Sequence, residues 1–102
     1  MKIVLTTCPS RNSKKITDKI LKEKLAACAL EIDSKSSYWW GKSICKDEKE
    51  KLIIFKTSEK LSKKLMERIK EIHPYSTPFI SIIDLEKVNV EYEKWLEDVL
   101  GG

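Results

Sequence analysis

The octet Ser13-Lys14-Lys15-Ile16-Thr17-Asp18-Lys19-Ile20 returns 49 residues later as Ser62-Lys63-Lys64-Leu65-Met66-Glu67-Arg68-Ile69. The same offset lays Ile3-Val4-Leu5 on Leu52-Ile53-Ile54, and Cys8 on Thr57. A match over one lysine-rich octet would mean little, but the preceding apolar triplet stays in register with it. Each half therefore reads strand, short loop, helix, strand. Apolar spacings of three and four mark the helices. Ile16, Ile20, Leu21, Leu25 and Cys28 form one stripe, and Leu61, Leu65, Met66, Ile69 and Ile72 form the other. A third helix is predicted after Asn89, an N-cap residue type followed by Glu91 and Glu93. Its apolar face is Tyr92, Trp95, Leu96, Val99 and Leu100.

Strands are predicted over 2–8, 29–40, 44–57 and 79–86. The order β-α-β-β-α-β is that of the ferredoxin-like split βαβ arrangement, an α+β fold, here with an added C-terminal helix. Leu52-Ile53-Ile54-Phe55 and Phe79-Ile80-Ser81-Ile82-Ile83 place apolar side chains on both faces of the sheet. A sheet with one face in water alternates instead. Two crossover helices cover only one face, and the third helix is short. The other face is expected to be covered by further copies of the chain, as a homo-oligomer.

The 102 residues form one expected domain, 1–102, with only three prolines and three glycines and hence no flexible linker. Folding a chain of this size alone hides roughly 65% of its unfolded surface, enough for a modest core without disulfides. The longest apolar run, Leu25 to Leu30, is too short to cross a bilayer. The opening Met1-Lys2-Ile3-Val4-Leu5 runs directly into strand-like sequence without a signal-peptide pattern, so a cytoplasmic location is expected and no membrane partner. The net charge of +4 raises nucleic acid as a partner. Against it, lysines and acids interleave, as in Asp47-Glu48-Lys49-Glu50-Lys51, which reads as solvated surface, and only Arg11 and Arg68 offer planar phosphate recognition.

The one histidine lies in His73-Pro74-Tyr75-Ser76-Thr77-Pro78, between the second helix and the last strand. Pro74 disfavours helical dihedrals at His73, and Pro78 does so at Thr77, so the helix stops here and the backbone is stiffened. His73 can bond the last carbonyls of its helix, or it can ligate a metal. A metal needs further donors, and the candidates are Cys8 and a carboxylate of another copy. The three cysteines, Cys8, Cys28 and Cys45, show no Cys-x-x-Cys spacing. Cys28, within Leu25-Ala26-Ala27-Cys28-Ala29-Leu30, reads as a small buried hydrophobe.

Tyr38-Trp39-Trp40-Gly41 ends a strand at a tight turn. Adjacent tryptophans on a strand face opposite sides, so both cannot enter one core. A subunit interface is the expected use, with an aromatic wall for a small ligand as the alternative. Single-strand stacking is disfavoured, because Leu52 to Thr57 offers only Phe55 and no glycine. No nucleophile-base pair or phosphate-cradling glycine loop emerges. The loop Cys8-Pro9-Ser10-Arg11-Asn12 lacks the glycine that an acylphosphatase-type anion cradle would need. The chain is not expected to be an enzyme.

In order and spacing, a set of short motifs resembles the CutA divalent-cation tolerance family. They are Thr6-Thr7-Cys8-Pro9, Glu23-Lys24-Leu25-Ala26-Ala27-Cys28-Ala29, Tyr38-Trp39-Trp40, Ile54-Phe55-Lys56-Thr57, His73-Pro74-Tyr75-Ser76-Thr77-Pro78 and Tyr92-x-x-Trp95-Leu96. The resemblance implies a homotrimer like that of the PII signalling proteins and a link to tolerance of copper and other divalent cations. It also implies copper ligands in some relatives: a first-strand cysteine and two consecutive histidines. The aligned positions here are Thr6, Ile72 and His73, so only His73 carries over, with Cys8 two residues from the cysteine position. The expected function is thus a non-enzymatic trimer binding copper or zinc weakly through His73 and Cys8, with no metal needed for folding. Tyr38, Trp39, Trp40 and Tyr75 are expected at the intersubunit cleft. The alternative is a PII-like signalling or adaptor protein that binds a small molecule or partner at those clefts.

Overall fold

A computed structural model describes residues 1–101. The elements are β1 (Lys2–Pro9), α1 (Ser10–Lys22), β2 (Cys28–Trp40), β3 (Ser43–Thr57), α2 (Glu59–Ile72), β4 (Ile80–Asp84) and α3 (Val90–Leu100). All neighbouring strands run antiparallel in the order β2-β3-β1-β4. This is the expected α+β split βαβ fold with its extra helix. The 49-residue offset holds in three dimensions. It carries Pro9, the N-cap of α1, onto Ser58, the N-cap of α2.

Strand alternation decides which side becomes core. Val4 and Cys8 of β1 and Ile53 and Phe55 of β3 turn to one face, where Ile16 and Ile20 of α1 and Leu65 and Ile69 of α2 close over them. Ala29, Ile80 and Ile82 pack at the margins of this layer. The polar members of the face are satisfied locally: Thr6 Oγ1 donates to the Phe79 carbonyl at 2.8 Å, and Thr57 Oγ1 to that of Leu25 at 2.7 Å. On the opposite face Leu30, Ile32, Phe79 and Ile83 stay 41–54% exposed. Helix α3 reaches only part of it, where Lys56 donates to Tyr92 Oη at 3.2 Å. The two-faced apolar pattern of the strands is therefore real, and one face is left largely open in the single chain.

Two boundaries differ from expectation. The apolar stripe predicts a first helix reaching Leu25 and Cys28, but α1 stops at Lys22 and Cys28 opens β2. Lys24 takes a left-handed backbone at φ 56°, with Lys24 N–H donating to Leu21 O at 3.0 Å and Leu25 N–H to Ile20 O at 3.2 Å. That pair of bonds is a Schellman ending, and it turns Leu25 back into the core. The last strand is also shorter than 79–86, because it pairs with β1 only from Ile80 to Asp84.

The β2–β3 hairpin outruns the sheet. Its pairing with β1 ends at Pro9 opposite Glu50, yet β2 and β3 continue to the Trp40–Ser43 pair. The free arm is about 20 Å long at strand rise and gives the chain its 46 Å long dimension. Gly41 closes the tip at φ 63°. Midway, the register slips between Ser36 and Tyr38, and Asp47 takes φ 56° with its N–H donating to Ser37 Oγ at 3.1 Å, a bulge that twists the arm.

Candidate functional site

Helix α2 ends at His73, whose ψ of 139° is the extended value that a following proline favours. Its own N–H closes the last helical turn on Ile69 O at 2.9 Å. The ring does not turn back to the helix carbonyls. It reaches β1 instead, where Nε2 lies 2.7 Å from the Thr7 carbonyl, while Nδ1 accepts the Tyr75 N–H at 3.1 Å. This pattern assigns the ring proton to Nε2, which donates to Thr7. The imidazole is only 8% exposed, so His73 joins α2, β1 and the following loop.

The same loop delivers Tyr75, whose ring centroid sits 5.0 Å from that of His73. Its hydroxyl donates to Glu50 Oε2 at 2.7 Å. Burial, then the Glu50 carboxylate, pushes the phenol well above its ordinary value. Glu50 is 7% exposed. Its place in an alternating charge run predicts solvated surface, and the structure corrects that expectation. Glu50 shares strand parity with Leu52 and Ile54, so the period-two pattern was the signal that places it at the sheet.

Cys8 is fully buried beneath the same corner. Burial pushes its thiol up to about 11, with the fields of Glu50 and Glu31 adding and a hydrogen bond with Ser13 opposing. Ser13 Oγ in turn donates to Glu31 Oε1, fastening α1 to β2. A thiol held this way is protonated near neutrality, and a protonated thiol is neither a nucleophile nor a metal ligand.

Of the expected site residues, the fold brings Cys8, His73 and Tyr75 to one corner around Glu50. Tyr38 lies on the β2 arm opposite Cys45 and is half-exposed. Trp39 and Trp40 are elsewhere, 70% and 74% exposed at the arm tip beside Ile44. Among the described residues no group of three His, Cys, Asp or Glu is placed to hold a metal. Both nitrogens of His73 are already engaged, and the Cys8 thiol keeps its proton. The described residues of the single chain therefore do not fit a metal centre. Beside this corner, a cleft of about 450 Å³ opens where β1 hands over to α1, lined by Ser10, Asp33, Ser34, Lys35, Lys49 and Glu50.

A split βαβ sheet with an overlong β2–β3 arm, an open apolar face and polar groups gathered at the arm base defines a PII-like, ferredoxin-like protein. The chain belongs to the CutA divalent-cation tolerance family: residues 2–99 match the family described as CutA1 divalent ion tolerance protein. It is 45% identical over 97 residues to the divalent-cation tolerance protein CutA of Pyrococcus horikoshii, covering 94% of each chain. It is 43% identical over 101 residues to that of Thermococcus kodakarensis, covering 98% of this chain and 96% of the relative. The crystal structure of CutA1 from P. horikoshii superposes with a TM-score of 0.92 at 44% identity, over 97% of both chains. A Nostoc structure described as a PII-like protein CutA in apo form gives 0.92 at 28% identity, over 98% and 97% of the two chains. An Archaeoglobus fulgidus relative described as periplasmic gives 0.91 at 29% identity, over 98% and 99%. No described helix is long and apolar enough to cross a membrane.

Proposed function

We propose that the chain serves divalent-cation tolerance as a non-enzymatic, cytoplasmic homotrimer. The observation that carries this is the open sheet face, with Leu30, Ile32, Phe79 and Ile83 exposed. A contiguous apolar face is unusual on a monomer and marks an association surface. The tip residues Trp39, Trp40 and Ile44 extend the surface offered to a neighbour. Copper or zinc taken up through His73 and Cys8 would be held weakly and would not be needed for folding. The ring would first have to release either Tyr75 or Thr7, the thiol would have to lose its proton, and other subunits would supply the remaining donors. Sedimentation equilibrium at micromolar protein should give about three times the 11.9 kDa chain mass; a stable monomer sinks the proposal. Titration calorimetry with copper and zinc should show at most micromolar binding, abolished in His73→Ala.

A second reading is favoured by the cleft beside Ser10. In it the trimer works as a PII-like adaptor, the clefts receive a small molecule, and the link to cations is indirect. Metal-silent protein that binds a metabolite selects this reading.

A further inference from the structure

The β2–β3 arm is fixed to the rest of the chain at one place. Its last pairing with β1 is Glu50 opposite Pro9, and beyond that point β2 and β3 pair only with each other. A two-stranded ribbon is marginal on its own, so the junction decides how firmly the arm is aimed. Among the described side-chain hydrogen bonds and ion pairs, just one ties any residue from Ser34 to Glu50 to a residue outside the hairpin: Tyr75 Oη donates to Glu50 Oε2 at 2.7 Å. The others near the arm stay within it: Ser34 donates to the Glu50 carbonyl, the Asp47 N–H to Ser37, and Lys51 to Asp33. Glu50 is buried, and none of the described ion pairs includes it. A carboxylate in that setting depends on its donor.

The donor is itself held. Tyr75 lies in the loop 73–79, where its N–H meets His73 Nδ1 at 3.1 Å while His73 Nε2 meets the Thr7 carbonyl at 2.7 Å. At the far end of the loop, Thr6 Oγ1 donates to the Phe79 carbonyl at 2.8 Å. The loop is therefore tied to β1 at both ends, and Pro74 and Pro78 stiffen the span between them. Helix α3 cannot take over this task, because it meets β3 at Lys56, about 20 Å along the strand from Glu50.

We infer that Tyr75 is a clasp. Its hydroxyl on Glu50 sets the angle at which the arm leaves the sheet, so that the His73 loop and the arm move as one body. With the bond made, the tip residues Trp39, Trp40 and Ile44 keep one position. With it broken, the arm swings about the Pro9–Glu50 pair while the core stays closed. The clasp thereby controls how the tip is presented to a neighbouring copy, a consequence that rests on the homotrimer reading.

Hydrogen exchange of the full chain tests this, with Tyr75→Phe removing the hydroxyl and keeping the ring. Arm amides within 34–49 should exchange about tenfold or more faster, the loss expected for a hydrogen bond to a carboxylate. Those of β1, α1 and α2 should stay within about twofold of the unaltered chain. Glu50→Gln keeps an acceptor for the hydroxyl and should quicken the arm less. Combined with Tyr75→Phe it should make the arm no faster than Tyr75→Phe alone, because both changes act on one bond. Tyr92→Phe, which takes a hydroxyl from Lys56 instead, should leave the arm within about twofold. Unaltered arm exchange in Tyr75→Phe, a uniform rise across the whole chain, or multiplied effects in the double variant overturns the clasp. Sedimentation of the same samples separates the clasp from the assembly, and Tyr75→Phe is expected to weaken the trimer. A monomer whose arm still loosens in Tyr75→Phe refutes only the homotrimer. A trimer whose arm exchanges at the same rate with and without the hydroxyl refutes only the clasp.

Discussion

Pro9 and Ser58 occupy matching places in the two halves, yet only Ser58 closes its helix, its Oγ accepting the Leu61 N–H at 3.2 Å with Glu59 following. Proline cannot supply that acceptor, and the start of α1 stays open toward the cleft. The buried serines diverge in the same way. Ser62 Oγ bonds within its own helix, to Glu59 O at 2.9 Å, whereas Ser13 reaches across to Glu31 of β2. Thr57 is satisfied by the Leu25 carbonyl, while its counterpart Cys8 sits under the fields of Glu50 and Glu31. The polar groups around the start of the second helix are all satisfied, Thr57 by a carbonyl of the first half. The first half keeps unspent polar groups and carries the long arm. One plan, used twice, thus gives two helix starts that differ in how their polar groups are sealed.

The largest test asks whether the halves share one core. Ile20 and Ile69 are matched by the repeat and both fully buried. Ile20→Ala and Ile69→Ala should each cost about 3–4 kcal/mol in urea unfolding. A loss below about 1 kcal/mol in either would break the equivalence. Next comes pH. The Cys8 thiol is raised from the ordinary 9.0 to about 11, so between these values the folded chain keeps a proton that the unfolded chain releases. Stability from this source is whole below pH 9.0 and lost as pH rises to about 11, by about 2 kcal/mol. Cys8→Ala should flatten that limb, and Thr57→Ala should leave its slope in place. Smaller again, Ser58→Ala should cost about 1 kcal/mol through the lost cap, with no counterpart at Pro9.

Much of this architecture was legible in the chain. The repeat gave both strand-helix units, strand alternation gave the two-faced sheet, and the paired prolines gave the helix stop at His73. The corner itself was only half legible. Cys8, His73 and Tyr75 were readable as neighbours of one cleft, but Glu50 was hidden in a run of alternating lysines and acids. Composition made it surface; strand parity with Leu52 and Ile54 made it part of the sheet. The role of His73 was hidden for another reason. Its partner, the Thr7 carbonyl, is a backbone group on another element, and no residue type advertises it. The tryptophans are expected at a cleft formed with another copy of the chain, not beside the corner of their own chain. The hairpin carries them five and six residues along β2 beyond Ser34, which lies level with the last β1 pair.

The smallest effect bears most directly on why the halves differ. The offset that carries Pro9 onto Ser58 carries Lys24 onto His73, and these two residues end their helices in opposite ways. Lys24 holds φ 56° so that the chain can turn back with Leu25 in the core. His73 holds φ −74° and ψ 139°, so the chain leaves extended into the loop that leads to β4. A left-handed backbone costs an L-residue about 1–2 kcal/mol that glycine escapes, less about 0.5–1 kcal/mol for the greater freedom glycine has when unfolded. Lys24→Gly should therefore stabilise the chain by about 0.5 kcal/mol, keeping both Schellman hydrogen bonds. His73→Gly should do the reverse, since its backbone already suits any residue and the substitution strips the ring from Thr7 and Tyr75. The contrast in sign is the diagnostic. Equal destabilisation by both glycines in thermal melts would mean that the Lys24 turn is held by its side chain rather than imposed on it. The left-handed ending would then not be what separates the first helix from the second.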